Sequence, residues 1–469
     1  MADAPTPLPS SGASSPCADI QPARFLLGRI DYERQPPTRS ATDAFRLDRM
    51  AALLERLGNP QRSVPCVHIA GSKGKGSTAA MLASICRAAG IRTGLFTSPH
   101  IERFEERIQL DGVPIPEARF AALLDELRPV TEELDASTLG GPTFFELITA
   151  LAWLYYREAG AELVVLEVGL GGRLDATNLC RPLVTIIASI SRDHTRLLGE
   201  TLGEIAGEKA GIIKPGVPVL SGVTAPEPAG VIEQFAWRHD APLHLAGREL
   251  SWRAHVADPA SRDAPLPRVM VDIANGWRSH RDLIVPLPGE HQQLNTTLSV
   301  SAADLLDHTG AFRISPAAIK RGLEETRWPL RIEVVGRHPL LIVDAAHNEA
   351  SIAGLLKTLS PLPVDRRVLM FAASRDKDAG AMLRQVAMEC DELILTRFVG
   401  NPRAVQPSEL AELLPADHRA TIHLAEDPPA ALALARQLAT SNDLICATGS
   451  FFLAAEVRRL VMTSAGQRT

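Results

Sequence analysis

Two α/β domains, each a parallel sheet covered by helices, are what this sequence predicts, and three observations carry the prediction. Short apolar runs rich in Val, Ile and Leu alternate with helical stretches along most of the chain, the pattern of parallel strands joined by crossover helices. That alternation begins twice, once at Val64 and again after Trp328-Pro329. The length of 469 residues exceeds what one hydrophobic core usually supports.

In the first series Val64–Ile69, Arg92–Phe96, Leu163–Glu167, Val184–Ser189 and Pro218–Ser221 read as strands. Ala79–Ala89, Glu117–Leu127, Thr143–Arg157 and Glu204–Ile213 read as the helices between them. From about Ala225 to Pro288 the pattern is broken by Pro, Arg and Asp, which predicts an antiparallel appendage with strands near Arg268–Ile273 and Asp282–Val285. Helices follow at Gln292–Leu306 and near Pro316–Glu325. The second series supplies strands at Leu340–Val343, Val368–Phe371, Glu392–Leu395, Thr421–Leu424 and Leu444–Ala447, the sheet of a doubly wound domain. Met1 to Asp19 is rich in Pro, Ala and Ser and lacks the basic start and apolar core of a secretory signal. The expected division is a disordered tail over 1–24, a first domain over 25–326 and a second over 327–469. No internal repeat is found.

Composition narrows the function classes. A hydrophobic content of 45% with 22% charged residues is that of an ordinary soluble protein. The net charge of -6, with Lys and Arg dispersed, leaves no electrostatic footprint for nucleic acid or an anionic membrane. No apolar run reaches the length of a membrane span. Six cysteines without a C-x-x-C pair predict buried, reduced thiols in a cytoplasmic protein.

The most informative segment is His68-Ile69-Ala70-Gly71-Ser72-Lys73-Gly74-Lys75-Gly76-Ser77-Thr78, a strand end that turns through glycines and lysines into a helix. Glycines let backbone amides approach phosphate oxygens, the helix start adds partial positive charge, and a lysine reaches the terminal phosphates. The segment misses the standard P-loop spelling: Ile69 stands where the first glycine should be, and Gly76 separates Lys75 from Ser77. Two lysines and a Ser-Thr pair are still more than a turn requires, and they predict a nucleoside triphosphate.

Ligands of such sheets bind beyond the carboxyl ends of strands, so the polar residues there are the candidates. Ser98 offers a hydroxyl that could ligate a metal, although on its own a Ser-Pro turn accounts for it better. Glu167 closes a buried strand, where a carboxylate costs free energy unless it is paired or binds a cation. It therefore reads as a metal ligand, while Asp175 and Asn178 beyond it could be loop caps. His194 could ligate a divalent ion or simply bond its loop. Ser98, Glu167 and His194 share an edge with the phosphate loop, and Mg²⁺ takes few protein ligands beside phosphate and water. Lys209 reads from composition alone as an exposed lysine. In the second domain Arg331, Asp344-Ala345-Ala346-His347, Arg375–Asp378, Asn401-Pro402-Arg403 and Thr448-Gly449-Ser450 outline a cleft rim.

His68–Thr78, Thr97–His100, Leu166–Asn178, Asp193–Gly199, Gly207–Pro215 and Asp344–Asn348, in that order, resemble the motifs of folylpolyglutamate and dihydrofolate synthases of the Mur ligase superfamily. The resemblance runs from about Arg29 to the C-terminus. It implies a P-loop-type ATPase domain and a smaller C-terminal α/β domain closing over ATP. By position, Ser72, Lys73, Gly74, Lys75, Gly76 and Ser77 would cradle the triphosphate, with Asn295, Arg331 and Asp344 contacting the nucleotide. Ser98, Glu167 and His194 would hold Mg²⁺. Lys209 matches a lysine that carries a carbamate, chemistry that needs a neutral amine and hence a burial-depressed pKa. The pterin end is implied near Pro37–Ser40, Thr143, Phe145, Glu146 and Leu174-Asp175-Ala176, with Phe145 as stacking surface, and His347 and Ser450 would receive glutamate. Two departures stand out. The family loop commonly reads Gly-Thr-Asn-Gly-Lys-Gly, so Lys73 adds a charge, and Ala345 stands where glycine is usual.

The implied reaction is ATP-dependent amide formation: a carboxylate attacks the γ-phosphorus, and the amine of L-glutamate attacks the resulting acyl phosphate. Lys75, Lys209 and His194 are the expected catalytic groups. The acceptor is expected to be dihydropteroate, a reduced folate or both, and the enzyme a monomer. Another Mur-type ligase acting on a different acid, or a nucleotide-binding scaffold without turnover, are the alternatives.

Overall fold

The computed structural model describes residues 21–32, 45–261 and 264–466. Most of the expected 1–24 tail, and the segment Pro37–Ser40, lie outside these residues. The tail's last four residues instead open a helix, Gln21–Leu27, which buries Leu26 completely.

Seventeen strands form three sheets among the described residues. The first contains β1 (Cys66–Ala70), β2 (Thr93–Phe96), β3 (Ile108–Leu110), β4 (Val113–Pro114), β5 (Leu163–Glu167), β6 (Val184–Ile187), β7 (Val219–Ser221) and β8 (Leu243–Leu245). Their order is β4-β3-β2-β5-β1-β6-β7-β8, parallel from β2 to β8 with an antiparallel β3–β4 edge. The central strands β1, β2, β5 and β6 are buried throughout, as a sheet covered on both faces requires. Strand order reverses around β1, which lies between β5 and β6. That is the switch point where such folds leave a crevice for ligands.

The expected appendage begins later than the sequence pattern predicts. Residues 225–245 add a helix, Pro226–Arg238, and the parallel strand β8 to the main sheet. Only then does an antiparallel sheet form, from β9 (Ser251–Asp258), β10 (Arg268–Ala274) and β11 (Ser279–Ile284). It is pinned to the helix His291–His308 by the buried Asp304, which accepts hydrogen bonds from His280 Nε2 at 2.8 Å, Asn275 Nδ2 at 2.8 Å and Arg278 Nη1 at 3.3 Å.

The third sheet holds β12 (Glu333–Arg337), β13 (Leu340–Val343), β14 (Arg367–Phe371), β15 (Glu392–Leu395), β16 (Thr421–Leu424) and β17 (Leu444–Thr448). Its order is β12-β13-β17-β14-β15-β16, parallel except for β12. The segment before it is held in an unusual backbone. Leu330 and Ile332 both adopt positive φ, 59° and 51°, a region costly for branched side chains. The third sheet's domain compensates: Leu330 N donates to Glu333 Oε2, Leu330 O accepts from Ala345 N, and Ile332 N donates to Asp344 Oδ2. Arg331, between them, is thereby fixed in direction.

No described helix is long and apolar enough to cross a membrane. Cys66, Cys86, Cys180, Cys390 and Cys446 are buried free thiols, as expected.

Candidate active site

Register brings the predicted residues to one edge. Ile69 of β1 pairs with Glu167 of β5, and Phe96 of β2 with Leu166. The phosphate loop, Glu167 and Ser98 therefore emerge together, and Ser98 N donates to Glu167 Oε2 at 3.2 Å. The loop runs into the helix Lys75–Ala88 through Gly74, whose φ is 84°. A side chain there would be strained, and its Cβ would come within 2.4 Å of Asn295 Oδ1. Gly76 is needed for a different reason. A Cβ there would meet Trp328 Cζ2 at 2.9 Å, so the indole reaches back from the interdomain linker onto the loop.

Beyond this edge opens a cavity of about 2270 Å³, walled by both large sheets. It is lined by Ser72, Lys73, Gly74, Lys75, Gly76 and Ser77, by Ser98, Glu167 and His194, and by Asn295, Arg331 and Asp344. Thr143, Phe145, Glu146 and Asp175 line it from the first domain, and His347 and Ser450 from the second. Lys209 stands behind the loop instead, buried, with Nζ donating to Gly71 O at 3.2 Å.

The cations of the site are set by burial. Desolvation, with Lys75 nearby, brings the Lys209 pKa down to about 7, and desolvation brings Lys73 down to about 8 despite the Asp193 carboxylate beside it. Lys75 Nζ donates to Gly71 O at 3.1 Å and lies 4.0 Å from Glu167 Oε1. Burial pushes the Asp193 carboxyl up, but Lys73, His194, Lys377 and His347 together hold it well below the usual range. Asp193 splits its oxygens between Lys73 Nζ (2.9 Å) and Lys377 Nζ (3.1 Å). His194 beside it is kept neutral, its pKa lowered to about 4 by desolvation against the pull of Asp193.

These donors suit a hard divalent ion. Ser98 and Glu167 offer oxygen and His194 a neutral imidazole nitrogen, while among the described residues no group of three or more His, Cys, Asp and Glu gathers into a cage. An ion completed by phosphate and water needs no more.

Several candidates serve the scaffold as well. Thr143 and Glu146 form the capping box of the helix Phe144–Glu158, and Glu146 also pairs with the buried Arg49 at 2.9 Å. Asp175 accepts from Leu170 N and from Thr177 N and Oγ1. Asp344 accepts from Ile332 N and Ala346 N, both near 2.9 Å. Ser450 Oγ accepts from Phe452 N. Phe145 packs against Gly169, where a Cβ would come within 2.5 Å of the ring. Sequence reasoning placed Lys377 only within the Arg375–Asp378 cleft rim, gave Asp193 and Trp328 no role, and passed over the cavity residues Tyr32, Phe45 and Arg107. Position at a strand end was a signal for the first two.

A phosphate loop at the switch point, a neighbouring oxygen-rich edge and a second α/β domain across one cavity are parts that an ATP-dependent ligase of the Mur type requires. Residues 330–451 match the family described as Mur ligase, glutamate ligase domain. Dihydrofolate synthase/folylpolyglutamate synthase of Bacillus subtilis is 36% identical over 416 residues, 88% of this chain and 94% of that protein. Among solved structures, Mycobacterium tuberculosis folylpolyglutamate synthase complexed with ADP is similar with a TM-score of 0.82 at 29% identity, over 93% of this chain and 97% of that one. The Escherichia coli FolC complex with DHPP and ADP gives 0.80 at 27% identity, over 96% and 100%. The chain belongs to the dihydrofolate synthase/folylpolyglutamate synthase family.

Proposed function

We propose that this enzyme joins L-glutamate to the carboxylate of dihydropteroate, a reduced folate or both, through an acyl phosphate, as a monomer in the cytoplasm. The observation that carries the reading is one cavity lined by the phosphate loop, by Phe145 and, from the far side, by His347 and Ser450 at strand ends of the third sheet. The E. coli relative complexed with DHPP and ADP supports a pterin beside the nucleotide. Division of the chain into domains at 25–326 and 327–469 belongs to the same reading.

The substrate carboxylate attacks the γ-phosphorus of ATP, the bond to the β-phosphate oxygen breaks, and ADP leaves. Glutamate's neutral amine then attacks the acyl carbon, and inorganic phosphate departs from the tetrahedral intermediate. The amides of 72–77 and Lys75 hold the phosphates, with Asn295, Arg331 and Asp344 around the nucleotide. Positioning and charge neutralisation in a water-poor cleft are most of what phosphoryl transfer asks of a protein. Ser98, Glu167 and His194 would hold Mg²⁺, which when bound neutralises charge on the phosphoryl oxygens. Phe145 offers a face to the pterin, beside Thr143, Glu146 and Asp175. His347 and Ser450 orient the amino acid.

The test is ADP release with Mg-ATP and glutamate, adding dihydropteroate or tetrahydrofolate separately. Glutamate-dependent turnover with either acceptor is expected. Silence with both, from protein that binds ATP, removes the folate reading.

Lys209 carries a carbamate in this reading. Carbamylation joins a neutral amine to CO₂ and releases a proton, and an amine with a pKa of about 7 is about half neutral at pH 7, where an ordinary lysine is almost wholly charged. With ¹³CO₂ held at fixed concentration, a carbamate NMR signal is expected to grow from pH 6 to about 8. It should be absent from Lys209→Ala. A signal that survives in the variant would place the carbamate elsewhere.

A further inference from the structure

The loop lysine that departs from the family's usual asparagine is the one that reaches the other domain. Lys73 Nζ lies 2.9 Å from Asp193 Oδ2 and 3.0 Å from His347 Nε2. The other ring nitrogen, Nδ1, is 2.8 Å from Ala345 O. A carbonyl oxygen can only accept, so Nδ1 carries the hydrogen and Nε2 presents a lone pair. The ammonium of Lys73 is the donor that lone pair requires. The imidazole is thus gripped on both edges, by its own backbone and by the phosphate loop of the first sheet.

We propose that Lys73 is a positioning residue for the incoming amino acid, anchored by Asp193 and holding the His347 ring at the glutamate side of the cleft. Lys377 completes the arrangement from the third sheet, at 3.1 Å from Asp193 Oδ1. Two lysines against one carboxylate and a neutral imidazole leave a surplus positive charge, which suits an amine that arrives bearing carboxylates. The side chain of asparagine is too short by about 3 Å to bridge the same gap. The inference rests on the glutamate reading of His347, and it makes the nucleotide loop and the amino-acid pocket one mechanical unit.

Steady-state kinetics on the full-length Lys73→Asn enzyme provide the test, with Lys73→Arg as the conservative rescue. The KM for glutamate is expected to rise roughly tenfold, with the KM for ATP changing by less than about threefold, because a charge-assisted hydrogen bond is lost on the amino-acid side. Arginine should recover most of the loss. Equal rises in both constants, or no rise in either, would overturn the proposal, since the lysine would then serve the phosphates alone or nothing. Should the variant not fold, ¹⁵N NMR of the histidine rings in the unaltered enzyme decides. The Nδ1–H tautomer at His347 is expected, and an Nε2–H tautomer would overturn it. A wild-type enzyme without glutamate-dependent turnover would sink the parent reading instead, which is a separate result.

Discussion

Replacing Lys75 with alanine is expected to lower acceptor-dependent ADP release by about 10²–10³-fold, the loss typical when one preorganised donor to a developing anion is removed. Lys75 opens the helix Lys75–Ala88 and turns back over its own loop, where Nζ lies 3.1 Å from Gly71 O and 4.0 Å from Glu167 Oε1. Its side chain is only 17% exposed, so its charge acts with less screening than a surface lysine's. Lys75→Arg should restore little, because a planar guanidinium cannot replace a compact ammonium inside a tight loop. A coupled ADP assay measures the effect, and a thermal melt confirms that the variant is folded. A loss smaller than about tenfold would mean that the loop amides hold the phosphates without this lysine.

The largest stability effect should come from a residue outside the cavity. Asp304→Ala is expected to cost about 3–5 kcal/mol, because it leaves partners of a fully buried carboxylate without their acceptor. His280 and Asn275 lose bonds of 2.8 Å, and Arg278 keeps only Asp307 and the Ile314 carbonyl. The unfolding midpoint should fall by about 10 °C. Asp304 sits about 13 Å along the helix from Asn295, so the KM for ATP in the folded variant should stay within about twofold. A melt unchanged within about 2 °C would show that the antiparallel sheet is held by its apolar contacts instead.

The edge of the first sheet was readable in the sequence because each of its parts is local. The loop 71–77, Glu167 at the end of an apolar run, and Ser98 after Phe96 are all announced by the residues around them. What the sequence hid was long-range, unmarked by a crossover helix, or punctuated by Pro and Arg. The strand β12 went unread because its pairing with β13 has no helical crossover to mark it. The helix Pro226–Arg238 and the strand β8 were absorbed into the appendage because Pro and Arg punctuate them. Asp193 stood in a quoted motif, yet its bridge to Lys73 and Lys377 spans 120 and 184 residues. Lys209 is the sharpest case. Beside Glu208 it reads as a solvent-facing lysine, and only tertiary burial makes it an amine near neutrality.

The Trp328 indole against Gly76 gives the chain a built-in optical gauge. Indole emission follows the polarity and charge of what the ring touches, and triphosphate entering the loop changes both within a few ångströms of this one. Of the other four tryptophans, Trp153 is buried in the first domain's core and Trp237 is 80% exposed on the helix Pro226–Arg238, away from the loop. Those two form the background, while Trp252, which lines the cavity itself, is a second ring within reach of a bound ligand. A shift of tryptophan emission on nucleotide binding is therefore expected from unlabelled protein, and Trp328→Phe should remove the part of it that arises at the loop.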